Sequence, residues 1–278
     1  MLVGSKQMLE AALVGGYAIG HFNTSDLEIT KAIINGAQAE SAPVIVATTP
    51  KAIEYAGLKE LSQLIKNLAE EATLPIVLHL DHGTDLEIAQ KCLEQGYTSI
   101  MIDASKNDLE DNIRLTKEIV TIARHKGIAV EGEIGVVPGS GQRRVNKYTN
   151  PDEAARFVRE TGVDALAVSI GNVHGGLQPD EKLNFELLEL IHQKVKIPLV
   201  LHGASGTPED QIKKAITLGV CKINIDTDIR LAFRNSVEEF LKNHSDIYDP
   251  REIMTSAMEA VEKVVRVKIK LFGSNNKV

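Results

Sequence analysis

Residues 74–82 read LPIVLHLDH, an apolar run that ends in aspartate and histidine and is followed by Gly83. The run is short, rich in Val, Ile and Leu, and bounded by Pro and Gly, which predicts a buried β-strand. Its nearly continuous apolar character is typical of a parallel sheet that is covered on both faces. The polar residues at its carboxyl end are therefore expected at the rim of such a sheet.

Seven further stretches of the same kind occur along the chain. They are YAIGHFN (17–23), APVIVATT (42–49), TSIMID (98–103), IAVEGEIG (128–135), DALAVSIGN (164–172), IPLVLHGASG (197–206) and VCKINIDTD (220–228). Helical patterns separate them, so eight βα units in about 250 residues predict an α/β fold, the (β/α)8 TIM barrel. A doubly wound open sheet is the alternative. We expect residues 1–278 to form a single domain, with additional C-terminal helices from about Asp246 to Gly273.

Composition excludes several classes of protein. The chain of 278 residues has a formal net charge of −7, which argues against a nucleic-acid partner. The two cysteines, Cys92 and Cys221, form no CxxC motif, which fits a reducing cytoplasm. The first residues predict an amphipathic helix and not a signal peptide, and no apolar run reaches the length of a membrane span. We therefore expect a cytoplasmic protein without a membrane partner.

Three of the eight histidines follow predicted strands and directly precede glycine, namely His82, His174 and His202. In a parallel barrel the functional groups lie at the carboxyl ends of the strands. Three imidazoles on one rim, with an open fourth position, are what a catalytic zinc ion needs. Asp81 adjoins His82 and could transfer a proton, or it could instead orient a histidine. His79 is expected one layer lower in the barrel, in a packed or hydrogen-bonded role.

Residues at the ends of the last two strands suggest an anion site. HGASG (202–206) offers backbone N–H groups and a hydroxyl at a helix start, which can bind a phosphate. NIDTDIR (224–230) follows the eighth strand, and the loops after strands seven and eight are the usual phosphate site of such barrels. Because Asp226 and Asp228 would repel a phosphate, at least one of them is expected to meet sugar hydroxyls.

Taken together, LDHG (80–83), VHG (173–175) and LHGASG (201–206) form a specific set. With YAIGHFN, VEGEIG and INIDTD, they resemble the class II, metal-dependent fructose-bisphosphate aldolases over nearly the whole chain. Within that family, the similarity is to the shorter subgroup that includes the tagatose-bisphosphate aldolases.

This resemblance implies a role for each matching residue. The zinc ligands would be His82, His174 and His202, with Glu133 near the metal, and Asp81 would handle the proton of the C4 oxygen. Residues implied in holding the C1 phosphate are Gly175, Gly203, Ser205, Asn224 and Thr227. Asn23 and Thr49 match substrate-side positions more loosely. The resemblance further implies a monovalent cation (Na⁺ or K⁺) near the His174 and His202 turns, a sugar-phosphate substrate, and a homodimer or homotetramer.

Asp226 and Arg230, four residues apart, resemble the pattern of the family members specific for fructose 1,6-bisphosphate. Arg230 would bind the distal phosphate with a bidentate fork. Asp226 would meet a substrate hydroxyl and contribute to stereochemical preference.

Two positions depart from the family pattern. The loop after Glu133, IGVVPGSGQRRVNKYT (134–149), lacks the expected acidic base, and Gln178 stands where a phosphate-binding lysine is common. As a hypothesis, Arg143 and Arg144 could supply the lost positive charge by closing over the substrate.

The sequence therefore predicts a zinc aldolase that reversibly cleaves fructose 1,6-bisphosphate to dihydroxyacetone phosphate and glyceraldehyde 3-phosphate through a zinc-stabilised enediolate. One alternative is an aldolase for another ketose phosphate, such as tagatose 1,6-bisphosphate. A second alternative is a catalytically weak sugar-phosphate-binding protein, and a third is a zinc hydrolase on the same barrel.

Overall fold

The computed structural model of the protein describes residues 1–139, 148–175 and 182–278. Gln178, and Arg143 and Arg144 of the loop after Glu133, lie outside these residues. Eight parallel strands form a closed barrel in chain order, with the last strand hydrogen-bonded to the first. They are β1 (Ile19–Asn23), β2 (Val44–Thr48), β3 (Ile76–Gly83), β4 (Ser99–Ile102), β5 (Ala129–Ile134), β6 (Ala165–Val168), β7 (Leu199–Leu201) and β8 (Val220–Ile225). The predicted TIM barrel is confirmed.

The described residues also contain eleven helices. They are α1 (Ser5–Gly15), α2 (Leu27–Ala39), α3 (Pro50–Ala56), α4 (Leu58–Glu71), α5 (Leu86–Glu94), α6 (Leu109–His125), α7 (Pro151–Thr161), α8 (Phe185–Val195), α9 (Glu209–Thr217), α10 (Thr227–Asn243) and α11 (Pro250–Phe272). Several begin where an Asp or Asn side chain accepts a backbone N–H, as Asp26 does for α2 and Asp85 for α5. Such caps fix where the chain turns from strand to helix. None of the described helices is both long and apolar enough to cross a membrane.

Strands β6 and β7 are shorter than the apolar stretches that predict them. After Val168 the backbone leaves the ladder, because the N–H of Ser169 donates to the Thr149 hydroxyl at 2.8 Å and that of Ile170 to the Asn172 side chain at 2.9 Å. The segment remains buried without being a strand. The chain that carries His174 is therefore a loop packed on the barrel rim.

The barrel interior is apolar at its amino end and polar at its carboxyl end. Helix α1 closes the amino end and buries Leu9 and Ala12 against interior residues such as Ile19, Ile45 and Val77. Two and four residues further along, the interior residues of β1 are His21 and Asn23, and those of β3 are His79 and Asp81. The apolar plug supports a polar site above it.

The chain continues beyond the eighth unit with α11, which packs against α10 and α2. The buried side of α11 is apolar and includes Val261, Val265 and Ile269. Val265 lies so close to Gly36 of α2 that a Cβ there would be 2.9 Å from its Cγ1 atom. The predicted C-terminal helix is thus part of the barrel's outer layer.

Candidate metal centre and anion site

The end of β3 carries a bulge that brings two consecutive residues to the same site. In a regular strand, neighbouring side chains face opposite sides. Between Leu80 and Gly83 the pairing with β4 shifts by one residue, and His82 adopts a positive φ of 49°. This conformation is unusual for a residue with a Cβ and marks functional positions. As a result, Asp81 and His82 both reach the barrel mouth.

His82, His174 and His202 converge at that mouth. Their ring centroids are 4.7 Å apart for His82 and His202, 5.1 Å for His82 and His174, and 6.0 Å for His174 and His202. One nitrogen from each ring lies within 4.8 Å of the others. This spacing suits three nitrogen ligands around one ion.

Hydrogen bonds set which nitrogen of two of these rings faces the centre. His82 Nδ1 lies 2.9 Å from Asp103 Oδ2, and His202 Nε2 lies 2.9 Å from Glu131 Oε1. A carboxylate only accepts, so these nitrogens carry the protons. The remaining nitrogens, His82 Nε2 and His202 Nδ1, are 3.0 Å apart, and in neutral rings both would present lone pairs. Two facing lone pairs need a cation between them, so the residues fit a metal ion.

The charges around the three rings differ. Burial holds the pKa of His174 and of His202 down at about 4, so both rings are neutral ligands at neutral pH. Burial also opposes a charge on His82, but the carboxylates of Asp81 and Asp103 outweigh it and raise its pKa to about 10. A cation is therefore favoured next to His82, whether it is a proton or a metal.

Glu133 also lies near His82, but not on the side where His174 and His202 lie. Its Oε2 atom is 4.0 Å from His82 Nδ1 and has no hydrogen-bond partner among the described residues. It forms a separate group with His82 and Asp103 whose ligand atoms lie within 4.8 Å of one another. Burial and the nearby Asp103 carboxylate raise the pKa of Glu133 to about 8. Glu133 adjoins the centre and does not belong to the group of three histidines.

Asp81 is held as a carboxylate beside Nε2 of His82, the nitrogen that faces the centre of the three rings. Its Oδ1 atom lies 3.9 Å from His82 Nε2, and its Oδ2 atom accepts a hydrogen bond from Asn23 Nδ2 at 2.7 Å. Burial favours the neutral acid, but the positive charge of His82 outweighs it, so the pKa of Asp81 lies well below its usual range. Asp81 can therefore accept a proton from a group bound next to His82.

Below this mouth, the barrel interior contains a buried ionic network. Lys222 Nζ lies 3.0 Å from Glu131 Oε2 and donates to Asn224 Oδ1 at 2.8 Å. Burial disfavours the Glu131 carboxylate, but Lys222 and His202 outweigh it, so the pKa of Glu131 lies far below its usual range. An ionised Glu131 is what orients His202.

The anion side of the site is formed by the turn after β7 and the start of α10. Gly203 has a φ of 63°, and a Cβ there would approach the Val173 carbonyl oxygen at 2.4 Å. Only glycine allows this turn to pack against the loop that carries His174. Ser205 is buried, and its Oγ accepts from the N–H of Asp228 at 3.3 Å. The amino end of α10 therefore points its N–H groups at the same place.

All but two of the residues predicted for the site line one cavity of about 130 Å³. They are Asn23, Thr49, Asp81, His82, His174, Gly175, His202, Gly203, Ser205, Asn224, Asp226 and Thr227. The exceptions lie in adjoining cavities that also include His82. Arg230 lines one of about 620 Å³ and Glu133 one of about 540 Å³.

The sequence reasoning missed three residues that support the centre, namely Asp103, Glu131 and Lys222. Asp103 follows β4 and could have been found by the same rule that identified Asp81. Glu131 is two residues before Glu133, and Lys222 two before Asn224, so strand alternation places each pair on one face. Strand alternation could therefore have placed Glu131 and Lys222 in the barrel interior, although neither residue belongs to a recognised motif.

The comparisons with known proteins agree on the family. The family model described as fructose-bisphosphate aldolase class-II matches residues 3–277. The chain is 43% identical over 280 residues to the 6-phospho-5-dehydro-2-deoxy-D-gluconate aldolase of Bacillus subtilis (strain 168), covering 99% of this chain and 97% of that protein. It is 40% identical over 282 residues to the fructose-bisphosphate aldolase of Geobacillus stearothermophilus, covering 99% and 98%.

Among solved structures, the YdjI aldolase from Escherichia coli K12 superposes with a TM-score of 0.90 at 38% identity, covering 100% of this chain and 99% of that one. The matches run from end to end, and they include the strands and loops that form the site. The chain therefore belongs to the class II fructose-bisphosphate aldolase family of metal-dependent aldolases.

Proposed function

We propose that this chain is a zinc-dependent aldolase that reversibly cleaves fructose 1,6-bisphosphate to dihydroxyacetone phosphate and glyceraldehyde 3-phosphate. The observation that carries the proposal is the convergence of His82, His174 and His202, with Asp81 Oδ1 3.9 Å from His82 Nε2. Three histidine ligands and a carboxylate that could transfer a proton would thus share one mouth.

The metal would be held by the three histidines, with Glu133 beside it. When bound, zinc supplies a Lewis acid that stabilises negative charge developing on the carbonyl oxygen of the substrate. Glu131 and Asp103 would keep His202 and His82 turned so that their lone pairs face the ion. No lysine Schiff base is required.

In the cleavage direction, Asp81 would accept the proton of the C4 hydroxyl as the C3–C4 bond breaks. Its low pKa keeps it ionised before the reaction, and its hydrogen bond from Asn23 holds it in place. In the condensation direction, the same carboxyl would return the proton to the aldehyde oxygen. One residue therefore acts as base and as acid in the two directions.

The phosphate of the dihydroxyacetone phosphate half would lie against Gly175, Gly203, Ser205, Asn224 and Thr227. Supporting this, the buried Ser205 hydroxyl and the start of α10 meet at the turn after β7. The side chain of Asp226 makes no capping hydrogen bond to α10, which leaves N–H groups at this helix end for an anion. The other substrate half would face Asn23, Thr49, Asp226 and Arg230.

A second candidate substrate is 6-phospho-5-dehydro-2-deoxy-D-gluconate, which is named for a relative at 43% identity. Its 5-keto group and 3-hydroxyl would direct cleavage to the C3–C4 bond. The products would be dihydroxyacetone phosphate and a three-carbon aldehyde acid. Both candidates thus share one product, and they differ in whether the aldehyde ends in phosphate or carboxylate.

The test is an assay of dihydroxyacetone phosphate release, coupled to glycerol-3-phosphate dehydrogenase, because this product is common to both substrates. We expect kcat/KM to be highest for fructose 1,6-bisphosphate, with tagatose 1,6-bisphosphate and the gluconate compound measured beside it. Activity should disappear with a chelator and return with zinc. Release that survives complete metal removal would contradict the mechanism, and a higher kcat/KM for the gluconate compound would replace the substrate.

Several finer expectations remain proposals alongside this one. They are the monovalent cation near the His174 and His202 turns, the homodimer or homotetramer, and the cytoplasmic location. The first can be checked by comparing activity in sodium, potassium and tetramethylammonium salts, and the second by sedimentation.

A further inference from the structure

A cavity of about 620 Å³ opens beside His82 and includes Lys51, Tyr55 and Arg230 in its lining. It shares Asn23, Thr49 and Asp226 with the smaller cavity that contains the three histidines. If the proposed function is right, the smaller cavity takes the phosphate of dihydroxyacetone phosphate. The larger one is then the space for the aldehyde half of the substrate.

The charges of this larger cavity are unequal. Arg230 Nε donates to Asp226 Oδ1 at 2.7 Å, so the charges of these two residues offset each other. Lys51 is exposed, and it forms no ion pair with any residue in the described ranges. Apart from His82, the uncompensated positive charge of the cavity is therefore that of Lys51.

The position of Lys51 in the fold gives it no structural reason to be a lysine. It lies in the first turn of α3, which begins with Pro50 and is capped by Thr49. The positive end of the helix dipole disfavours a cation there, and no carboxylate lies in that first turn to compensate it. The side chain is exposed, so it also contributes nothing to the core.

We infer that Lys51 recognises the anionic terminus of the aldehyde half of the substrate. An ammonium group is a compact charge with three rotatable donors, so it can bind a terminal phosphate or a terminal carboxylate. A neutral aldehyde would gain nothing from it. Lys51 is thus a specificity residue for anionic over neutral aldehydes.

The experiment measures aldol condensation at saturating dihydroxyacetone phosphate while the aldehyde is varied. The aldehydes are D-glyceraldehyde 3-phosphate, malonate semialdehyde and, as the neutral comparison, D-glyceraldehyde. We expect Lys51→Met to lower kcat/KM about tenfold for whichever anionic aldehyde the wild type uses, mainly through KM, as expected for one charge-assisted contact. The value for D-glyceraldehyde should change less than about twofold.

Two further variants complete the design. Lys51→Arg should restore most of the loss, and Lys59→Met, which removes an exposed lysine from the neighbouring helix α4, should leave all three aldehydes unaffected. An equal loss for anionic and neutral aldehydes, or no loss for either, would overturn the inference while leaving the aldolase intact. If the wild type condensed dihydroxyacetone phosphate with none of the aldehydes, the proposed function itself would fail and this inference with it.

Discussion

The barrel holds two groups of histidines, one at its mouth and one directly beneath, and only the first is arranged for a metal. His82, His174 and His202 form the upper group, and His21 and His79 form the lower one, with ring centroids 5.3 Å apart. The lower pair, together with Asp81, also places ligand atoms within 4.8 Å of one another. Residue type and spacing therefore do not distinguish the two groups.

The charged residues around each group of histidines distinguish the two groups. In the upper group, carboxylates fix the protons of His82 and His202 on the outer nitrogens, and a further carboxylate, Asp81, adds negative charge. In the lower group, burial comes first and the Lys222 ammonium second in lowering the pKa of both His21 and His79. Because a cation already occupies that layer, a metal is disfavoured there. Carboxylates also lie close to the lower rings, Asp81 at 3.6 Å from His21 and Glu131 at 3.9 Å from His79, but burial and the Lys222 ammonium outweigh them in lowering both pKa values.

The largest expected effect is the difference between replacing a histidine of the upper group and replacing one of the lower group. His82→Ala should lose bound zinc and lower kcat by at least about 10⁴-fold, because the Lewis acid contributes several kcal/mol. His79→Gln, three residues earlier in the same strand, should retain the metal. The check is zinc content by atomic emission together with dihydroxyacetone phosphate release. Equal zinc loss in the two variants would mean that the groups are not distinct.

Asp81→Asn separates the proton-transfer role from metal binding. The amide can still accept the hydrogen bond from Asn23, but it cannot take up a proton, so kcat should fall by about 10³-fold. Zinc content should remain at the wild-type level. If zinc content and activity fell in proportion, Asp81 would be an orienting residue for the metal site and not the acid.

Glu131→Gln tests whether the buried charges beneath the mouth support the upper group of histidines. A neutral amide should orient His202 less strongly, so zinc affinity should fall by about 10–100-fold. Competition with a chromogenic chelator measures it. Glu40→Gln is the matched control, since Glu40 is also buried and ion-paired, with Arg266 on the outer layer. Equal weakening of zinc binding by both changes would indicate a general loss of stability.

The smallest expected effect concerns the lower group and pH. Burial holds the pKa of His79 well below its usual 6.5, so the ring is neutral in the folded protein. As pH falls below about 6.5, the unfolded chain takes up a proton that the folded chain does not, so the contribution of His79 is complete above this pH and lost below it. The free energy of unfolding of wild type should therefore fall more steeply than that of His79→Gln.

We expect the stability difference between wild type and His79→Gln to narrow by about 1 kcal/mol between about pH 7.5 and 5.5. Urea unfolding with a chelator present, so that zinc release does not contribute, measures both proteins at both pH values. A difference that stays constant or widens at low pH would show that His79 is charged in the folded state.

Much of this architecture could be predicted from sequence because a parallel barrel repeats one simple pattern. Apolar runs located all eight strands, and the rule that function lies at strand ends selected Asp81 and the three histidines, which the structure brings to one cavity. The extents of β6 and β7 could not be predicted, because residues such as Ile170 are buried in a loop and look like strand residues.

The contact between Glu131 and Lys222, which supports the centre from below, could not be predicted for a different reason. Strand alternation puts Glu131 and Lys222 on the interior, but their contact joins β5 to β8 across the barrel. That pairing depends on the register of the closed sheet, which a single sequence does not specify. Asp103 could have been predicted by the strand-end rule, since it directly follows β4.

The bulge at the end of β3 has a consequence for protein design. Copying Asp81 and His82 onto a regular strand of another barrel would turn one of the two side chains outward, away from the metal. A transplant would need the extra residue opposite Met101, the left-handed backbone at His82 and the close packing of Gly83 on the Met101 carbonyl, where a Cβ would lie at 2.6 Å. The portable unit of this catalyst is therefore a piece of backbone geometry as much as a pair of side chains.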